Sequence, residues 1–146
     1  MGTWGPGPFD NDAADELLEE VAELAERERA PYLKQILVDG ALIGMEDVDV
    51  FPDDVIAAAT LVAMSVPHGL SRLGDEEDRE HAAGSVLADV DRALASAALT
   101  ALRKMFEPGN HWYDTWVDDE PDGLAAQSAR AAAQVLTEFL AGGDAS

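Results

Sequence analysis

Asp10, Asn11, Asp12 and Asp15 bring four oxygen-bearing side chains together just after a lead that holds Gly5 and Gly7. Hard cations such as Ca²⁺ are bound by several carboxylate and carbonyl oxygens, so this is the first grouping to weigh as a site. The EF-hand loop is absent, because no glycine stands at its sixth position and no glutamate closes it at the twelfth. The same residues suit a helix start. Asp12 as N-cap with Asp15 three residues on would satisfy orphan N–H groups and complement the positive end of the helix. Capping is the expectation, with no metal or other cofactor, and Asp10, Asp12 and Asp15 stand as the cation candidates.

Other chemistry finds less support. The three histidines, His68, His81 and His111, are far apart, and no Glu-x-x-His pair occurs as a di-iron or zinc bundle site would require. Cysteine is absent, which removes thiolate catalysis, disulfides and Cys-ligated zinc. None of the serines sits in a Gly-x-Ser-x-Gly turn, and the glycine-rich start lacks the Lys-Ser/Thr of a phosphate loop. With 30 acids in the chain, nearly every carboxylate spacing arises by chance, so no acid/base pair can be singled out. The expectation is that the chain is not an enzyme.

Phe106, His111, Trp112, Tyr113 and Trp116 form the densest aromatic group. Trp112 and Trp116 are four apart, on one face of any short helix there, and such rings serve either as core or as interface anchors. An exposed ring would lie beside Asp118, Asp119, Glu120 and Asp122, an acid rim fitted to a basic partner. Trp112, Trp116 and those four acids are the candidate partner-binding residues.

Charge extends that reading to the whole chain, since 30 acids against 9 bases leave −21. Nucleic acid and anionic membrane are disfavoured, because binding them relies on neutralising phosphates with Lys and Arg. The acids are also unevenly spread: residues 10–28 hold nine acids and one Arg, 46–54 five acids and no base, and 107–122 six acids and no base. Glu16/Glu20 and Glu19/Glu23 are like-charged i,i+4 pairs, each unfavourable by about 0.2–0.5 kcal/mol on a helix, against a favourable Glu23/Arg27. A composition poor in Lys and rich in Asp and Ala also fits a GC-rich genome or a halophile, whose acids are only solvated surface.

Elements that would hold these residues follow from periodicity and punctuation. Leu17, Leu18, Val21, Leu24 and Ala25 recur at helical spacing from Asp12 to about Arg29. Pro31 suits the first turn of a second helix carrying Tyr32, Leu33, Ile36 and Leu37, weakening near Gly40 and stopping by Gly44. Met45 to Phe51 alternates as a short extended segment would. Pro52-Asp53-Asp54 opens a third helix, and Val55 to Val66 is apolar nearly all round, which marks a central helix. Pro67-His68-Gly69 ends it. An acidic helical piece, Asp75 to Ala83, precedes a longer helix from about Leu87 to Phe106, with Leu87, Val90, Leu94, Ala98, Ala101 and Met105 on one face. After Pro108-Gly109-Asn110, a last helix runs from Asp122 as cap to Gly142, through Leu124, Ala131, Val135, Leu136 and Phe139.

The core these helices can build is thin, because 26 of the apolar residues are alanine and each buries little area. No stretch is apolar for long enough to span a bilayer, and the start shows neither basic residues nor an apolar signal core, so a cytoplasmic protein is expected. Residues 1–142 are read as one helical domain and 143–146 as a short tail.

Two aromatics stand among the glycines and prolines of the lead, Trp4 and Phe9, and would anchor it to the bundle. The run Met1, Gly2, Trp4, Gly5, Gly7, Phe9, Asp12, Ala14 and Asp15 resembles the opening of a bacterial family described as domain of unknown function 4259. Trp4, Gly5, Gly7, Phe9, Asp12 and Asp15 are taken as its structural signature. Ala57 to Ala63 resembles the family's alanine-rich middle helix, and Trp116 its late tryptophan. The resemblance implies an all-helical fold and hands down no catalytic residue. The segment 118–122 departs from the pattern.

The combined expectation is an all-α, compact bundle of five or six helices with the lead packed on it. The favoured role is a non-enzymatic interaction module for a basic protein, in the manner of immunity or antitoxin proteins, with self-association open. A solvated acidic domain adapted to salt, and a divalent-cation protein or enzyme using Asp10 to Asp15, are the alternatives.

Overall fold

A computed structural model describes residues 12–41, 52–66, 80, 87, 90–106 and 124–142. Five helices run through them: α1 (Asp12–Glu23), α2 (Glu26–Ala41), α3 (Pro52–Ser65), α4 (Arg92–Met105) and α5 (Leu124–Gly142). The described residues contain no strand, and the fold is all-α.

The third helix is the axis of the bundle, packing against all four others. Every residue from Val55 to Met64 is buried, so the helix has no outer face to mark with polar residues. The second helix comes close to it at Gly40. A Cβ placed there would lie 2.7 and 2.8 Å from the two methyls of Val55, so α2 reaches this crossing only because position 40 has no side chain. The described helix ends at Ala41, one residue past Gly40 and before Gly44, where the sequence reading had it stop.

The amphipathic helices lay narrower stripes on this axis. Leu17, Leu18 and Val21 are buried from α1, Leu33 and Leu37 from α2, and Val135 and Leu136 from α5. Leu94, Ala98, Ala101 and Met105 are buried from α4 as their spacing requires, joined by Ala95, Leu99 and Leu102.

Three boundaries differ from the sequence reading. The first helix stops at Glu23, not near Arg29, and the second begins at Glu26, which places Pro31 inside the helix instead of in its opening turn. Both stripes must face α3, and the chain changes direction at Leu24–Ala25 to achieve this. Arg29 holds the turn: its guanidinium donates to the carbonyl oxygens of Leu24 at 3.3 Å and Ala22 at 3.2 Å, oxygens that the end of α1 leaves without helical partners. Glu23 and Arg27 thus lie on different helices, and the favourable i,i+4 pair does not form.

The third difference lies at the start of α4. Leu87 and Val90 are not helical, and the helix opens with Asp91 in extended backbone as N-cap, its carboxylate accepting from Leu94 N–H at 2.7 Å. Leu87 is buried nonetheless, tied to α3 by its N–H, which donates to Ser65 Oγ at 2.9 Å. The same hydroxyl donates to Leu61 carbonyl oxygen at 2.8 Å, so Ser65, which interrupts the apolar run, joins segments 22 residues apart.

Candidate partner-binding surface

Four glutamates of α1, Glu16, Glu19, Glu20 and Glu23, are exposed. Their i, i+3, i+4, i+7 spacing puts them on one face, and the buried Leu17, Leu18 and Val21 occupy the opposite one. The whole helix carries six acids and no base. Among the described residues, Glu16, Glu19 and Glu23 form no ion pair or hydrogen bond. Two like-charged i,i+4 pairs on this stripe go uncompensated, and the burial of the other side of the helix must outweigh their repulsion.

Glu20 is held differently. It accepts a hydrogen bond from the Tyr32 hydroxyl of α2, which joins the first two helices across their turn. Burial, then the bond to the Glu20 carboxylate and the negative charges of Glu20 and Asp54, push the Tyr32 phenol well above its ordinary value. Removing the proton would leave a phenolate facing two carboxylates, so this hydroxyl acts as a donor.

The opposite polarity is found on α4, which carries Arg92, Arg103 and Lys104 and no acid between Arg92 and Met105. Arg103 and Lys104 stand in its last turn, where cations complement the negative end of the helix. Arg92 stands at the unfavourable end of α4 but donates to Leu140 carbonyl oxygen at 2.9 Å, near the end of α5. Arg130 of α5 lies 5.6 Å from the ring centre of Phe106, at the other end of α4, so cation-bearing contacts tie the two helices together at both ends.

Of the cation candidates, Asp15 is half-buried in α1. Asp12 begins that helix, at the place where a cap was expected, but its side chain and all of Asp10 fall outside the described residues. Among the described residues no three His, Asp or Glu side chains gather as a metal site would need. Trp112, Trp116, Asp118, Asp119, Glu120 and Asp122 lie outside the described residues, as do Trp4, Gly5, Gly7, Phe9 and the three histidines; Phe106 alone of the aromatic group is placed, half-buried at the end of α4.

The family model described as Domain of unknown function (DUF4259) matches residues 2–129. The chain belongs to this family. The match takes in α1 to α4 and the start of α5 of this chain. No curated protein and no solved structure matches the chain. No described helix of this DUF4259 member is long and apolar enough to cross a membrane.

Sequence reasoning had counted the acids of α1 and their repulsion without setting them out as a surface. The signal was available in the spacing 16, 19, 20, 23. The acid-free stretch from Arg92 to Met105 was equally visible and was not used.

Proposed function

We propose that this DUF4259 protein is a non-enzymatic interaction module that binds a basic protein partner, as an immunity or antitoxin protein would. The observation that carries the reading is the glutamate stripe of α1, four exposed carboxylates on one face of a helix that itself contains no base. A chain gains nothing in folding from Glu16/Glu20 and Glu19/Glu23, and a cationic partner would turn that repulsion into attraction. Charged faces of this kind speed encounter and select partners by sign. The acids at 118, 119, 120 and 122, with Trp112 or Trp116, are the second set of residues proposed to meet such a partner.

The test is capture from native lysate at low and high salt, comparing the wild type with Glu16→Gln/Glu19→Gln/Glu23→Gln and with the neutralised 118–122 segment. Support would be a basic protein retained by the wild type at low salt, released as salt rises and lost from a neutralised variant. Recovery of the same proteins by all forms, or of no basic protein, would leave the acids as solvated surface.

A further inference from the structure

The outer face of α4 contrasts with every other described charged surface. Its exposed residues are Arg92, Ala93, Ser96, Thr100 and Arg103, two cations separated by small side chains, on a helix without an acid. The Arg103 side chain forms no ion pair or hydrogen bond among the described residues. The glutamate stripe of α1 is exposed in the same chain, so neither face covers the other.

We infer that the outer face of α4 is a docking surface for α1 of a second copy of this chain. Charge complementarity argues for this occupant. Arg92 and Arg103 are about 16 Å apart along the axis at 1.5 Å per residue, and Glu16 and Glu23 about 10 Å apart. Arg and Glu side chains are long enough to close the difference, and Ala93, Ser96 and Thr100 leave room for a helix to approach between the cations. Arg92 already donates to Leu140 carbonyl oxygen, so Arg103 is the principal anchor. The net charge of −21 opposes association as a whole. That repulsion is screened beyond about 8 Å at 0.15 M ionic strength, whereas contacting pairs are screened much less. The contact pairs two different patches: it closes as a two-fold dimer where both α1–α4 pairs form at once, and otherwise repeats head to tail as a ring or a chain.

This inference does not rest on the basic-partner reading, because it needs α4 and that reading does not. Sedimentation equilibrium of the wild type at 0.15 M salt should show a mass that rises with protein concentration and returns to the monomer at 1 M. Arg103→Glu should weaken self-association by at least about tenfold, as like charges are set face to face. Arg103→Ala should weaken it less. Glu19→Lys/Glu23→Lys should also be monomeric alone, while an equimolar mixture with Arg103→Glu should associate, since each then offers the other an opposite charge. All these positions are exposed, and unchanged circular dichroism and melting of each variant check the fold. A wild type that stays monomeric at every concentration, or whose association ignores both charge reversals, would overturn the inference. Arg103→Glu leaves the α1 stripe whole, so retention of a basic protein by that variant is decided separately.

Discussion

The central helix α3 and the outer helix α1 are of similar length and are built on opposite plans. In α3 every residue from Val55 to Met64 is buried, and the helix touches all four neighbours. In α1 the buried side is Leu17, Leu18 and Val21, and the far side is four exposed glutamates. Burial from every direction lets α3 dispense with periodicity, while α1 depends on one narrow stripe to offset the repulsion on its other face. The first plan spends every face on the interior, and the second leaves one face charged and open to solvent.

The sharpest way to break this contrast is to remove the same side chain from each helix. Leu61→Ala, in the bundle axis, should cost about 4 kcal/mol, and Leu17→Ala, where the site can collapse toward solvent, about 2 kcal/mol, within the range for such truncations. Urea denaturation of both variants measures the difference. Equal costs would mean that α1 is as deeply integrated as α3.

A smaller effect of opposite sign is expected inside α3 itself. The Thr60 hydroxyl is buried with no hydrogen-bond partner among the described residues, a rare condition for a polar group in a packed interior. Thr60→Val keeps the shape and removes the unpaired oxygen, and should raise stability by about 1–2 kcal/mol. Loss of stability would show that the oxygen is satisfied by an internal water, which a high-resolution crystal structure would locate.

At the junction of the two plans, Tyr32→Phe should cost about 1 kcal/mol by deleting the bond to Glu20. Its signature is in the pH dependence. The folded chain holds the phenol protonated past the point where an unfolded tyrosine ionises, at about pH 10. This stabilisation is therefore intact below about pH 10 and lost as pH rises above it through the folded value. Thermal melts from pH 8 to 12 should show a steeper fall for the wild type than for Tyr32→Phe, and parallel curves would remove Tyr32 from the account.

The smallest effect is expected on the acidic face. Glu16→Gln/Glu19→Gln/Glu23→Gln should change stability by no more than about 0.5 kcal/mol at 0.15 M salt, with any gain growing as salt is lowered, since two repulsive pairs are relieved. A large loss would mean that the stripe is structural and would withdraw it from the binding reading.

How far the fold could be read in advance depended on which of these plans an element follows. The buried axis was legible from the nearly all-apolar run Val55 to Val66, and the inward faces of α4 and α5 from their spacing. Boundaries were legible only where a local signal fixed them. Pro31 suggested a helix start, but the turn is placed at Leu24–Ala25 by two apolar stripes that must meet one axis, a tertiary demand that local propensity does not carry. Asp91 was a readable cap, passed over because Leu87 and Val90 continue the same periodicity. Leu87 is buried through Ser65, 22 residues earlier, and no pattern within a single element could have shown that. The acidic surface was legible as a sum of charges; its confinement to one face of α1 needed only the helical spacing.

Gly40 and Val55 share one volume. The methyls of Val55 occupy the place where a side chain at position 40 would begin, so the two positions are one packing decision divided between two helices. A larger residue at 40 requires a smaller one at 55, and the pair should change together or not at all: Gly40→Ala alone strained, Gly40→Ala with Val55→Ala relieved. Any substitution that thickens this crossing moves the axis of α2, and with it Tyr32, whose hydroxyl holds Glu20 within the acidic stripe. The spacing between two helices in the interior thereby sets where a negative charge stands on the surface.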